Sequence, residues 1–254
     1  MAQYSRLFNP PDADVIFQSS DGVLFGIHRI NLQTNTEGFP PPEIQFASTG
    51  EVVSLSESSS TLDRLFQFIY PRRHPGLDDI EFDELDALAE AAEKYQVFSA
   101  MNICQIRMRS MLPNHAPKIL AYAAKHDYPY LVYEAAPYTF DVPLSEVVSM
   151  LPQYLILPWV KYIDAWNAVL HEAISDMQRA HINKAQYGDC RTWRAERAVI
   201  AQNFGHSLRS LRQLDTIFNT DGIKLPPCCE AAKAEWRKAI DDAIALIPPF
   251  SRYS

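Results

Sequence analysis

The chain has 254 residues, 47% hydrophobic and 21% charged, a composition that excludes wholesale disorder and suits one or two folded domains. Its formal charge of −8 is uneven: residues 1–112 hold 16 acids against 8 bases, and residues 113–254 hold 15 of each. An acidic first half disfavours nucleic acid as its partner, and the shift in charge supports a domain boundary near Pro113.

Residues 1–11 read as a flexible arm. Val15, Ile16 and Phe17 suit a pleated, buried surface, and Ser20-Asp21-Gly22 supplies a turn in which Gly22 is free to take positive φ. Val23, Leu24, Phe25 and Ile27 give the returning strand of a hairpin. His28, Leu32 and Phe39 fall where strand gives way to a short helix. The run Phe39-Pro-Pro-Pro-Glu43 cannot continue that helix, because three prolines remove donors and fix φ. Residues 51–55 read as a third strand. Leu62, Leu65, Phe66 and Ile69 share one face of a helix over 61–70, capped by Ser60 or Thr61 and stopped by Pro71. Residues 78–93 carry eight acids and no base. Beneath them Phe82, Leu85, Leu88 or Ala89, Ala92 and Tyr95 recur at helical spacing. Val97, Met101, Cys104 and Met108 form the stripe of the next helix, over 97–112.

These features resemble a BTB/POZ domain. In that family an acidic residue precedes the first strand. A Phe-x-x-His-Arg-x-x-Leu run, then Ser/Thr and an aromatic, leads into the helices. The matching residues are Asp14, Phe25, His28, Arg29, Leu32, Thr36 and Phe39. Leu55 and Glu57 resemble the family's Leu-x-Glu, Phe68-Ile69-Tyr70 its Phe-Ile-Tyr, and Lys94-Tyr95 its Ala-x-Lys-Tyr. The resemblance covers about residues 12–112. It implies that Asp14 and Arg29 meet in a charged pocket at or near a dimer interface; the bland alternative is an ordinary ion pair at a strand end.

The second half, 113–254, reads as an all-α domain with prolines at helix starts, namely Pro117, Pro129, Pro143, Pro158 and Pro226 or Pro227. The longest helix is expected over 158–186, where Trp159, Ile163, Trp166, Leu170, Ala173 and Met177 make a core stripe. Shorter helices are expected over 190–203 and 206–219. A last one carries Trp236, Ile240, Ile244 and Ile247 before Pro248-Pro249. This half resembles the helical extensions that follow BTB domains in fungal proteins. The expected fold class is therefore α+β, a BTB/POZ-like domain at 12–112 followed by a helical domain.

Catalytic signatures fail on inspection. His171-Glu172 lacks the second histidine of His-Glu-x-x-His, since position 175 is Ser, and the run from Gly205 to Arg209 lacks the second glycine of a nucleophile elbow. No phosphate-cradling glycine loop occurs, so neither enzymatic activity nor a cofactor is expected. His181, Cys190, Cys228 and Cys229 are the one set with zinc-ligand chemistry. Adjacent cysteines diverge, and Cys-x-x-Cys is missing, so inert thiols are the favoured reading. Four scattered cysteines do not make a disulfide framework. Arg191, Arg194, Arg197, Arg209 and Arg212 accompany a single acid, Glu196. They read as a solvated face pairing with the acidic helix of residues 78–93, with an acidic protein partner as the alternative.

No apolar run reaches the roughly 18 residues of a membrane span, and the first residues lack a signal-peptide core. An intracellular protein, in cytoplasm or nucleus, is expected. The function implied by the resemblance is protein–protein interaction, with self-association and no direct contact with membrane or nucleic acid. A transcription-related cofactor working through a DNA-binding partner is one alternative. A cullin adaptor is another, and it is disfavoured. Cullin-recruiting BTB domains carry a hydrophobic-x-Glu motif after the helix at Phe39, whereas Pro41 and Thr49 stand two positions before Glu43 and Glu51.

Overall fold

The computed structural model describes residues 3–39, 52–176, 182–183, 188–205, 207–220 and 225–253. Most of the chain is helical, with a small three-stranded sheet near the N-terminus. It divides into two compact units, Met1–His115 and Ala116–Ser254.

In the first unit, β1 (Val15–Gln18) and β2 (Leu24–Ile27) form the antiparallel hairpin, with Val15 opposite Ile27 and Phe17 opposite Phe25. Gly22 takes φ 84° in the turn, a conformation that costs other residues a clash at Cβ. Helix α1 (Arg29–Asn35) follows, and then β3 (Val52–Ser54), which joins β1 in parallel to give the order β2-β1-β3. The proline segment 40–51, on which the cullin reading rests, lies outside the described residues.

Helix α2 spans Ser59–Gln67. Its cap is Ser58, not Ser60 or Thr61: the Ser58 hydroxyl accepts the Thr61 N–H. The helix also stops three residues short of Tyr70. The residue before a proline avoids helical ψ, and the chain tightens through Phe68 N–H to Leu65 and Ile69 N–H to Phe66 carbonyls. Helices α3 (Phe82–Tyr95) and α4 (Phe98–Ser110) complete the unit. Asp83 and Glu84 sit in the first turn of α3 and Lys94 in its last, matching the macrodipole. Phe82, Leu85, Leu88, Ala89, Ala92 and Tyr95 are all buried, as are Val97, Cys104 and Met108.

The centre of this unit is Phe66. Its ring is fully buried and lies 5.8, 5.6, 5.5 and 6.0 Å from the rings of Phe8, Phe17, Phe25 and Phe39. Phe8 comes from the segment read as a loose arm. Residues 3–9 of that segment are anchored: they run beside β2. Leu24 N–H donates to Gln3 O, Ser5 N–H to Leu24 O and Gly26 N–H to Phe8 O, at 2.8, 2.8 and 2.9 Å.

The second unit holds α5 (Ala116–Lys125), α6 (Pro129–Ala135), α7 (Leu144–Met150), α8 (Gln153–Asp176), α9 (Arg191–Phe204), α10 (Leu214–Phe218) and α11 (Pro227–Ala245). Short 3-10 turns lie at Ala136–Asp141, Leu208–Arg212 and Phe250–Arg252. The expected single helix over 206–219 is thus a 3-10 turn followed by α10. Prolines 117, 129, 143 and 227 do sit at helix starts. Pro158 does not: α8 begins at Gln153 and carries Pro158 inside. One backbone donor is lost there, and burial of Leu155 and Trp159 on either side holds the helix together. Trp159, Ile163, Trp166, Leu170 and Ala173 are buried along one stripe, and Met177 lies outside the described residues. The expectation of an all-helical second half, with α8 running to 186, needs correction. Ile182–Asn183 (β4) and Gly188–Asp189 (β5) pair as a short antiparallel ladder.

No described helix is long and apolar enough to cross a membrane.

Candidate interaction site

Two clusters in the first unit collect the residues that carry the resemblance. The first lies where β2 passes into α1. His28 is the N-cap residue of α1 in an extended conformation (φ −86°, ψ 123°), and its side chain does not cap the helix. Asp14, just before β1, does that work: its carboxylate accepts the Arg29 N–H at 2.7 Å. Asp14 and Arg29 therefore meet within one chain, through carboxylate and main chain, at an exposed position.

The His28 side chain turns the other way. Its Nδ1 lies 2.9 Å from the Tyr70 hydroxyl, which also accepts the His28 backbone N–H at 3.2 Å. Its Nε2 faces Asp12 at 3.3 Å. The hydrogen bond with His28 holds the Asp12 carboxyl below its ordinary range. Phe8 stacks near Tyr70, with ring centroids 5.5 Å apart, and the Arg72 guanidinium covers both rings at 5.0 and 5.4 Å. His28, Tyr70, Arg72 and residues 4–10 line an open groove of about 550 Å³. Its walls mix aromatic surface with Arg6, Arg72 and His28, and it is open to solvent rather than a closed pocket.

The second cluster joins the end of β3 to the end of α3. Glu57 Oε1 accepts from Lys94 Nζ at 2.7 Å, and Oε2 from the Tyr95 hydroxyl at 2.6 Å. Lys94 Nζ also donates to Ser56 Oγ at 2.7 Å. The Glu57 side chain is only 12% exposed. Burial alone would raise its pKa, but the bonds from Lys94 and Tyr95 outweigh that and hold it below the usual range. Burial, and then the bond to Glu57, push the Tyr95 phenol up. Phe39 lies flat on the Tyr95 ring, 4.1 Å centroid to centroid and 7° from parallel. Gly38 makes this stacking accessible. Its N–H donates to Tyr95 O at 3.0 Å, and any Cβ there would sit 2.6 Å from the Tyr95 carbonyl carbon.

The remaining signature positions Phe25, Leu32 and Phe68 are buried core. Asp12, Phe8, Arg72 and Gly38 belong to these clusters and were missed in the sequence. Only Gly38, directly before Phe39, leaves a local signal there.

In the second unit, Glu196 is fully buried and is not part of the arginine face. Arg191 and Arg194 are exposed, while Glu196 faces inward with Trp193, Ile200 and Phe204. Its Oε1 accepts from Lys233 Nζ at 2.5 Å and from the Thr220 hydroxyl. Arg212 and Arg209 reach Asp141 at 2.5 and 3.8 Å. Of the zinc-type set, His181 lies outside the described residues. Cys190 and Cys229 bring their sulfurs to 3.5 Å, and Cys228 lies 4.0 Å from Cys229. No group of three or more metal-ligating side chains with metal-site geometry occurs among the described residues.

A scan against protein-family models finds no match to this chain, and a search of curated proteins finds no similar sequence.

Proposed function

We propose that this chain is a protein-association module, with a BTB/POZ-type platform in its first unit and a helical scaffold in its second. The observation that carries the reading is convergence. Residues far apart in sequence, singled out by one family pattern, meet at hydrogen-bonding distance: His28 with Tyr70, and Glu57 with Lys94 and Tyr95. A pattern matched by chance scatters over the fold; a pattern that encodes a fold places its polar members against one another. The groove beside His28 adds a surface with exposed Leu7 and Tyr4 on its wall. Tyrosine and arginine are enriched among the residues that carry the binding energy of protein interfaces.

The association is self-association first. Light scattering on the purified chain over a wide concentration range is the test, and a dimer is the expected outcome. Asp14→Asn is expected to shift the equilibrium toward monomer, because it weakens the start of α1. A chain that stays monomeric throughout, with Asp14→Asn indistinguishable from the parent, overturns the proposal. Calorimetry against a cullin N-terminal domain is expected to show no submicromolar binding.

A further inference from the structure

Cys190 is the N-cap residue of α9, and Cys229 is the third residue of α11. Their sulfurs are 3.5 Å apart, although 38 residues separate them in sequence. A covalent sulfur–sulfur bond is about 2.05 Å long, so the two sulfurs need to close by about 1.5 Å to form it. Cys190 is partly exposed and Cys229 is buried. One thiol is thus open to a reagent from solvent, and the other waits behind it.

We propose that Cys190 and Cys229 form an oxidisable thiol pair, which a hydroperoxide converts to an intramolecular disulfide joining the starts of α9 and α11. Cys190 is the attacking sulfur. The backbone N–H of Trp193 lies against it and lowers its pKa, which favours the thiolate at Cys190 over that at Cys229. Burial pushes the Cys229 thiol up to about 12, which keeps it a protonated reserve until the first step is done. In that step the Cys190 thiolate attacks one peroxide oxygen. The O–O bond breaks, a Cys190 sulfenic acid forms and hydroxide leaves. The Cys229 sulfur then attacks the sulfenic sulfur. The S–O bond breaks, and the departing oxygen takes the Cys229 proton and leaves as water. Two thiols lose two electrons and two protons in all, and one hydrogen peroxide becomes two waters. Cys104 is fully buried and takes no part, with its thiol also pushed up to about 12 by burial. Cys228 is exposed, but adjacent cysteines cannot adopt ordinary disulfide geometry without strain.

The full reduced chain is treated with equimolar hydrogen peroxide, quenched, unfolded and alkylated. Remaining thiols are counted, and the digest is mapped by mass spectrometry without reductant. Thiols are expected to fall from 4 to 2, with one linked peptide pair holding Cys190 and Cys229 and no dependence on protein concentration. Cys228→Ser is expected to keep that link. Cys229→Ser is expected to leave Cys190 as a sulfenic acid that dimedone traps. Linkage only between chains overturns the proposal. So does sulfinic acid at Cys190 beside reduced Cys229, or equal thiol loss in Cys190→Ser. Mapping of the parent chain decides the matter even if a variant fails to fold.

Discussion

Removing the carboxylate of Glu57 tests whether the second cluster holds the first unit together. In Glu57→Ala the Tyr95 hydroxyl loses its acceptor while the residue stays 1% exposed. A buried hydroxyl without a partner costs about 1–3 kcal/mol. The Lys94 ammonium loses its charged partner but keeps Ser56, and its side chain is 46% exposed and regains water, so that term stays below about 1 kcal/mol. Glu57→Ala is therefore expected to destabilise by about 2–3 kcal/mol. Tyr95→Phe keeps the ring stacked on Phe39 and removes one charge-assisted bond, for about 1.5–2 kcal/mol. The two losses share one bond, so the double variant is expected to fall short of their sum by about 1–2 kcal/mol. Acid adds a second reading. The folded pKa of Glu57 lies below the unfolded one, so its contribution is complete above the ordinary carboxylate range of about 4.3 and is lost as pH falls through the folded value. Urea unfolding at neutral pH and in acid, followed by hydrogen exchange of peptides from α2 and α3, measures both. Additive single losses, or Glu57→Ala retaining the parent's acid sensitivity in this unit, would refute the reasoning.

Phe66→Ala empties the centre of the aromatic core and is expected to cost about 3–5 kcal/mol, read as a lowered urea midpoint for the first unit. In the second unit, Lys233→Met strands the buried Glu196 carboxylate and is expected to cost about 3–5 kcal/mol. Lys233→Met combined with Glu196→Gln is expected to recover much of that in thermal unfolding, because the uncompensated charge is then gone.

Periodicity made the helices legible. The stripes of α3, α4 and α8 are written in side chains at 3.6-residue spacing, and among the described residues burial follows them except at Met101 of α4, which is half-buried. What the sequence hid has physical reasons. Pro158 sits inside α8 because packing on both sides exceeds the cost of one missing donor, and local preference cannot register packing. The 182–189 ladder consists of two-residue strands, too short for alternation to show. Residues 3–9 are held by backbone bonds to β2, and backbone bonds leave no trace in residue type. Of the site, the signature residues were legible but their partners were less so. Asp12 reaches His28 only after the hairpin brings the chain back. Glu196 looked like one acid among arginines because charge counting along the chain cannot see Lys233, 37 residues on.

The anchored N-terminal segment also decides what the sheet offers to other chains. A strand at the margin of a sheet presents a row of unused N–H and C=O groups, which any extended peptide can adopt as a template. Along β2 that row is already taken by Gln3, Ser5 and Phe8. Trimming the protein from its start through Pro10 would strip this cover and empty the Phe8 socket together. The shortened chain would carry a raw β margin beside an apolar hole, a pairing that favours aggregation over orderly assembly.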